Sequence, residues 1–286
     1  MIDTIASVLI EPFSYAFMRI ALMTTLAVAV PMALLSCLLV LRGWSLMGDA
    51  ISHAVLPGVV LAWFTGVPIA FGAFCAAMVT ALSAGYLEAN SRIKSDTALG
   101  IVFAGMFGLG VVLFVALPSG LHLSHILFGD MLGIRQSDLY QAVIISLASF
   151  CFLMIFRRDL VLIAFDEHHA KAIGLHTSLL NTALLATISV LVVAALQAVG
   201  IILATAFLIT PGATAFLLVR RFEAMLVVAA LIAIGSSILG LWASYWLAAS
   251  PAACIVLMMT AAFALAFMRE QMTAKEAPEQ QTSRLS

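Results

Sequence analysis

The sequence predicts an all-α membrane protein, a polytopic bundle of about nine transmembrane helices. Of its 286 residues, 64% are hydrophobic and only 9% are charged, against about 25% charged residues in a soluble domain. The apolar residues also form long runs without charge, separated by short polar connections. So few charges cannot cover the surface of a soluble fold, and a net charge of −1 offers no basic surface for nucleic acid.

A hydrocarbon core about 30 Å thick needs about 20 apolar helical residues to cross it. The first five predicted spans are Ile20–Leu41, Ser45–Phe64, Ile69–Leu87, Thr97–Leu117 and Leu139–Phe156. Two further spans fit the run Thr177–Val219 with a turn at 197–200, and two fit Ala224–Met268 with a division near Ser250–Pro251. Residues 118–137 are too polar for a tenth span, so we expect a loop or a short re-entrant helix there.

The cysteines and the start of the chain fit the same class of protein. The four cysteines, Cys37, Cys75, Cys151 and Cys254, lie in separate apolar runs, whereas a disulfide scaffold or zinc knuckle would cluster them. We interpret them as small hydrophobic residues. The segment 1–12 carries acids and no base, so no cleavable signal peptide is expected.

The basic residues predict how the bundle is oriented. Eleven of the 13 Lys and Arg residues fall in alternate connections, with Arg19 and Arg135 as the exceptions. The positive-inside rule assigns that side to the cytoplasm, with the N-terminus outside and the C-terminus inside. We therefore expect one transmembrane domain over residues 1–268 and a polar, disordered cytoplasmic tail over 269–286.

Asp49 and His53 are ionisable residues within the second predicted span. Four residues apart on a helix, they project from one face. An ionisable group costs about 2.5–3.5 kcal/mol at the centre of a span on insertion scales, which favours a functional role. Carboxylate and imidazole groups are ligands for Mn²⁺, Fe²⁺ or Zn²⁺. A structural hydrogen bond between Asp and His is the alternative that the spacing leaves open.

The cytoplasmic connection 157–178 predicts a short helix. Asp166 suits the N-cap position of a helix that begins at Glu167, includes Ala170 and stops at Gly174. A short amphipathic helix between two spans is suited to docking on a partner protein. An ordinary solvated loop helix is the alternative on spacing alone.

The sequence lacks common hydrolase motifs. None of its three lysines follows a glycine, so it has no phosphate-binding Gly-Lys loop. It also contains neither His-Glu-x-x-His nor Gly-x-Ser-x-Gly. We therefore expect no enzymatic activity from this chain itself.

Residues 40–58 read Val-Leu-Arg-Gly-Trp-Ser-Leu-Met-Gly-Asp-Ala-Ile-Ser-His-Ala-Val-Leu-Pro-Gly. This segment resembles the signature of the ABC-3 family, the membrane permeases of ABC importers for manganese, zinc and ferrous iron. The likeness extends from about Glu11 to Met268, and the Gly-Asp-Ala-x-Ser-His-Ala block is its specific part. Segments 95–100, 123–130 and 208–215 support it, and the chelated-iron and manganese type is the most similar variant.

The resemblance implies a fold like that of type II ABC importers and a place for each candidate site residue. Asp49 and His53 would line the translocation path and coordinate the transported ion transiently, with no permanently bound cofactor. Glu167, Ala170 and Gly174 match the family's Glu-x-x-Ala-x-x-x-Gly loop and would form the coupling helix seated on the ATPase.

The resemblance also implies partners and a location. The partners would be two ATP-binding cassette ATPase subunits, a second permease, identical or paralogous, and an extracytoplasmic metal-binding protein. The location would be the bacterial inner membrane, with the chain as a multi-pass subunit. The segment Ser250-Pro251-Ala252-Ala253-Cys254 departs from the family's usual Pro-Thr-Gly-Ala, so no pore role is assigned to it.

The preferred function is import of Mn²⁺ and Fe²⁺, and zinc import is the nearest alternative because the ligand types overlap. From another class, a gradient-driven secondary transporter would need no ATPase. Inverted repeats would favour that class, and the hydropathy pattern shows none. A membrane-embedded hydrolase lacks a nucleophile–base pair in this sequence.

Overall fold

A computed structural model describes residues 11–44, 46–117 and 136–283 of the chain. These residues form eleven α-helices of more than five residues and no strand. In chain order the helices are α1 Ala16–Arg42, α2 Met47–Ala54, α3 Leu56–Thr65, α4 Ile69–Asn90, α5 Ser95–Ala116, α6 Gln136–Phe165, α7 Glu167–Ala172, α8 Thr177–Val199, α9 Ile201–Leu218, α10 Phe222–Leu247 and α11 Pro251–Ser283.

Nine segments of the described chain are long and apolar enough to cross a membrane. The α2–α3 pair forms one of them, and α7 is too short to be one. This confirms the predicted all-α bundle and the predicted number of spans. The segment 118–135, for which a loop or re-entrant helix is expected, lies outside the described residues.

Helix α1 lies at the centre of the bundle. It packs against α6, α8, α9 and α10, and Met32, Leu35 and Leu39 along it are fully buried. The facing helices contribute equally buried side chains, including Ile188 of α8 and Phe207 of α9. In a membrane such contacts are held by close packing, because lipid tails are as apolar as the side chains. The central helix therefore fixes the positions of those around it.

Helix α5 lies at the edge of the bundle. It contacts α2, α3 and α4 and leaves large apolar side chains exposed along its length, among them Val112 and Val115. Gly110 of α5 packs tightly, since a Cβ there would lie 2.9 Å from Leu56 and Pro57. A Cβ added at Gly105 would have no atom within 4 Å. One face of α5 is thus packed on the chain and the other is open.

Helix α6 is longer than the sequence analysis predicts. It continues past Phe156 to Phe165, so Arg157 and Arg158 do not end it. Long arginine side chains extend toward the polar interface while the backbone stays helical. The predicted coupling loop 157–178 is therefore shorter in the structure, where only residues 166–176 join α6 to α8.

The last helix also differs from expectation. The segment 269–286 is expected to be a disordered tail, whereas α11 continues as a helix to Ser283. The residues after Met268 include Ala, Glu, Gln and Lys, which have high helix propensity and extend a helix that has already formed.

The two ends of the bundle carry different chemistry. At one end an ion pair joins Arg157 of α6 to Glu223 of α10, with 3.6 Å between Nη2 and Oε1. At the other end Tyr15, just before α1, lies 5.9 Å from the ring of Tyr245 in α10. Arginines at one boundary and tyrosines at the other are typical of a protein that spans a bilayer.

Candidate metal-ion pathway and coupling helix

Helix α2 presents one face to the bundle core and the other to an open side. Met47, Ile51 and Ala54 are buried, and their spacing of four and three residues puts them on the inner face. Asp49 and His53 lie on the outer side and are partly exposed. A Cβ at Gly48 would lie 2.5 Å from Leu208 Cδ1 of α9, so the glycine permits the close approach that seats α2.

The second span is interrupted directly after the candidate ligands. The sequence predicts a single span over 45–64, and within it α2 ends at Ala54 and α3 begins at Leu56. Pro57 has no N–H to donate to the carbonyl of His53, so the helical hydrogen-bond ladder is broken there. Helices broken near the middle of the bilayer are common at transporter binding sites, where carbonyl ends favour cations.

The Asp49 and His53 side chains face each other across one helical turn. Their Oδ1 and Nε2 atoms lie 3.6 Å apart, and the side chains are 48% and 32% exposed, respectively. This separation is too long for a hydrogen bond. A metal ion about 2.0–2.2 Å from each donor separates two ligands by about 3.0–3.7 Å for angles of about 90–120°. The pair is therefore spaced for two-point contact with one ion.

The described residues supply no further metal ligands close to this pair. No group of three or more His, Cys, Asp or Glu side chains that could hold a metal occurs in the described part of the chain. Mn²⁺ and Fe²⁺ prefer about six ligands. Asp49 and His53 can therefore provide a partial coordination shell from one chain, and the remaining ligands must come from elsewhere.

Two aromatic side chains of α5 border the pair, and the sequence analysis does not identify them. The His53 ring lies 5.9 Å from the Phe103 ring and 6.1 Å from the Phe107 ring. The two phenylalanines are themselves 5.9 Å apart, as their spacing of one helical turn allows. They make an apolar wall on the α5 side of His53. The sequence shows Phe103 and Phe107 one turn apart on a Gly-rich span. It does not show that they contact His53, because only the packing of α5 on α2 brings them together.

Helix α7, the predicted coupling helix, has a complete cap at each end. Asp166 Oδ1 accepts a hydrogen bond of 2.8 Å from the His169 N–H, which confirms the predicted N-cap. At the other end the Gly174 N–H donates to Lys171 and the Leu175 N–H to Ala170. This pattern is a Schellman motif, with Gly174 at φ +89°.

Ala170 and Glu167 take different places on this helix. Ala170 is fully buried and packs with Ile163 of α6 and Leu180 of α8, so it anchors α7 to the bundle. Glu167 Oε1 lies 2.8 Å from Lys171 Nζ and accepts a longer bond of 3.4 Å from Thr177 Oγ1. The hydrogen bond from Lys171 holds the pKa of Glu167 below its usual value.

Arg42 joins the coupling segment to the start of α2. Its Nη1 donates a 2.9 Å hydrogen bond to Asn181 Oδ1 of α8, and its guanidinium lies 5.0 Å from the centre of the Trp44 ring. The carboxylates of Glu88 and Glu167 attract it electrostatically. The neighbouring ends of α1, α4, α7 and α8 are thus linked through one charged side chain.

The nine-span bundle, with a carboxylate and an imidazole one helical turn apart and a capped short helix between two spans, has the architecture of a membrane permease. Residues 14–270 match the ABC 3 transport family, and the chain belongs to that family.

Individual proteins of similar sequence are named as metal-transport membrane proteins. A probable iron transport system membrane protein of Haemophilus influenzae is 49% identical over 90% of this chain and 95% of its own length. The manganese transport system membrane protein MntB of Synechocystis is 43% identical over 91% of this chain and 85% of its own length. The solved structure of PsaBC from Streptococcus pneumoniae matches with a TM-score of 0.80 at 35% identity, covering 92% of this chain and 95% of that one.

Proposed function

We propose that this permease imports a divalent transition-metal ion, Mn²⁺ or Fe²⁺, and that Asp49 and His53 contact the ion in transit. The observation that carries the proposal is the 3.6 Å separation of their Oδ1 and Nε2 atoms on a broken membrane helix. Relatives named for iron and manganese transport support the choice of ion. The substrate is cargo and not a resident cofactor.

An incomplete ligand set suits transport better than a closed one. A fixed tetrahedral cage holds its ion as a structural site does, whereas conduction requires binding that is weak enough to release the ion. The Asp49 carboxylate supplies negative charge that offsets part of the lost hydration, and His53 supplies one nitrogen ligand. Water or a second copy of the pair completes the shell.

The open face of α5 is the surface for the second permease. It borders His53 through Phe103 and Phe107, and the neighbouring side chains of α5 are exposed. A partner that packs there would place its own carboxylate and imidazole near the first pair. The second permease, identical or paralogous, would thereby double the ligand count to two carboxylates and two imidazoles.

Helix α7 is the docking surface for the ATPase. Its inner side is fixed by Ala170. His168 on the helix and Ile173 just after it are exposed, with Ile173 57% exposed. An exposed apolar side chain beside charged ones is typical of a protein contact. Two ATP-binding cassette ATPases would bind two such helices from the cytoplasm, and an extracytoplasmic metal-binding protein would deliver ions on the opposite side.

Uptake by Asp49 and His53 variants tests the proposal. In cells expressing the complete transporter at limiting metal, Asp49→Asn should reduce Mn²⁺ or Fe²⁺ uptake by about 100-fold, because an amide keeps the shape but loses the charge. His53→Asn should retain partial activity, because the amide oxygen remains a weak ligand. Uptake of ⁵⁴Mn, ⁵⁵Fe and ⁶⁵Zn is measured for each variant.

Asp159→Asn is the matched control, since it removes a carboxylate in α6, remote in sequence from α2, and should leave uptake unchanged. Membrane abundance and copurification of the partner subunits must stay equal among all variants. If Asp49→Asn imports metal at the wild-type rate, the pair has no role in ion contact and the proposal is wrong.

A further inference from the structure

The structure contains a cavity that the transport site does not use. It has a volume of about 680 Å³ and lies where α9, α10 and α11 meet the end of α6. Ligand-binding pockets in proteins typically measure about 300–1,000 Å³. The cavity opens beside the exposed apolar side chains of Phe165 and Phe216. It is therefore large enough for a small organic group and has an apolar rim.

The polar part of this cavity is basic. Arg220 lies in the connection between α9 and α10, and Arg269 and Glu270 lie on α11. A second cavity of about 340 Å³ shares the walls Phe165 and Phe222. It adds a further cluster of charges, Arg157, Arg158 and Glu223. Four arginines against two carboxylates leave an excess of positive charge across the two adjoining cavities.

The first turn of α10 adds hydrogen-bond donors to the same place. Phe222, the first residue of α10, lines both cavities. The N-cap residue Arg221 makes no side-chain cap hydrogen bond, and the first N–H groups of a helix have no partner within the helix. A helix N-terminus also carries partial positive charge, which favours anions. Arginine side chains and the first residue of α10 therefore border the same two cavities.

We propose that these adjoining cavities bind the phosphate group of an anionic glycerophospholipid from the cytoplasmic leaflet. The phosphate would lie between Arg220 and Arg269, and an acyl chain would lie along Phe165 and Phe216. Basic pockets between transmembrane helices on the cytoplasmic side are suited to such head groups, and exposed arginines beside exposed apolar side chains match a lipid better than free phosphate. This binding is independent of the proposed transport function.

Lipid retention by the purified protein tests the proposal. The full chain, with whatever partner subunits copurify, is reconstituted into nanodiscs of phosphatidylglycerol and phosphatidylcholine, extracted with mild detergent and measured by native mass spectrometry. Wild-type protein should retain phosphatidylglycerol in preference to phosphatidylcholine. Each of Arg220→Gln and Arg269→Gln should weaken that retention about fivefold, and the double variant by about 25-fold. Arg220→Lys should retain most of it.

Arg92→Gln is the matched control, because Arg92 is an exposed base in another connection of the same predicted side and should leave retention unchanged. If Arg92→Gln and Arg220→Gln reduced phosphatidylglycerol retention equally, the lipid would be attracted only by the overall positive charge of the surface, and the proposal would be overturned. Displacement of the lipid by millimolar inorganic phosphate would assign the cavity to a free anion instead. Retention only after partner subunits are stripped would mean that a protein surface covers it, which also overturns the proposal.

Discussion

Single residues of the coupling segment are constrained in different ways. At Ala170 the constraint is space, because the side chain is fully buried between α6 and α8. At Gly174 it is backbone conformation, since φ is +89° and an added Cβ would have no atom within 4 Å. A Cβ at Gly174 would thus meet no steric barrier within this chain, and the constraint there is the positive φ. The two residues belong to one sequence motif, and the structure shows that different constraints act on them.

The conformation at Gly174 leads to a prediction for the end of α7. Gly174→Ala should destabilise the Schellman motif by about 1–2 kcal/mol, because an L-residue is disfavoured at positive φ. Hydrogen–deuterium exchange of peptides covering 167–176 should then be about fivefold faster or more. Gly174→Asn is the control and should exchange more slowly than Gly174→Ala, because Asn tolerates the left-handed region. Wild-type exchange in Gly174→Ala would contradict this interpretation.

At the scale of elements, α5 supports the broken second span. Its Gly110 lies against Leu56 and Pro57, the residues at which α3 begins. The contact holds the interruption next to His53 in a fixed place, while Phe103 and Phe107 contact the His53 ring from the same helix. Helix α5 therefore packs against the point where α2 ends and α3 begins, and it also borders the candidate ligands.

Substitution of two glycines on α5 separates packing from helix propensity. Gly110→Val should lower stability by about 1–3 kcal/mol, because the new side chain overlaps atoms 2.9 Å from its Cβ. Gly105→Val makes the same chemical change where no atom lies within 4 Å and should have little effect. Thermal unfolding of the purified chain in detergent measures both. An equal loss of Tm in the two variants would show that the contact with Pro57 is not the cause.

At the scale of the whole molecule, the connections alternate between a basic end and an aromatic end. Arg157 and Glu223 pair at the basic end, and Tyr15 and Tyr245 meet at the other. We therefore expect reporters at residues 199 and 250 to lie outside and reporters at 168 and 221 to lie in the cytoplasm. Reporter fusions or cysteine-labelling at these four positions measure the orientation. A cytoplasmic signal at 199 would invalidate the proposed arrangement.

The spans were predictable from the sequence because apolar length is a local property of the chain. The N-cap at Asp166 and the end of the helix at Gly174 were predictable because capping also depends on residues close together in sequence. The contacts of His53 with Phe103 and Phe107 join residues about fifty positions apart, and only packing of two spans brings them together. The continuation of α6 past Arg157 does not follow from the charge pattern, because charge marks the end of the apolar segment and not the end of the helix.

The count of membrane crossings restricts how two permeases can be joined genetically. Nine candidate spans lie in the described chain, and nine crossings in total would place the start of α1 and the end of α11 on opposite sides of the bilayer. A direct tandem fusion would therefore insert its second half upside down. A single-chain pair in which both halves face the same way requires one additional hydrophobic segment of about 20 residues in the linker. An odd number of crossings therefore favours two permeases that are translated and inserted as separate polypeptides.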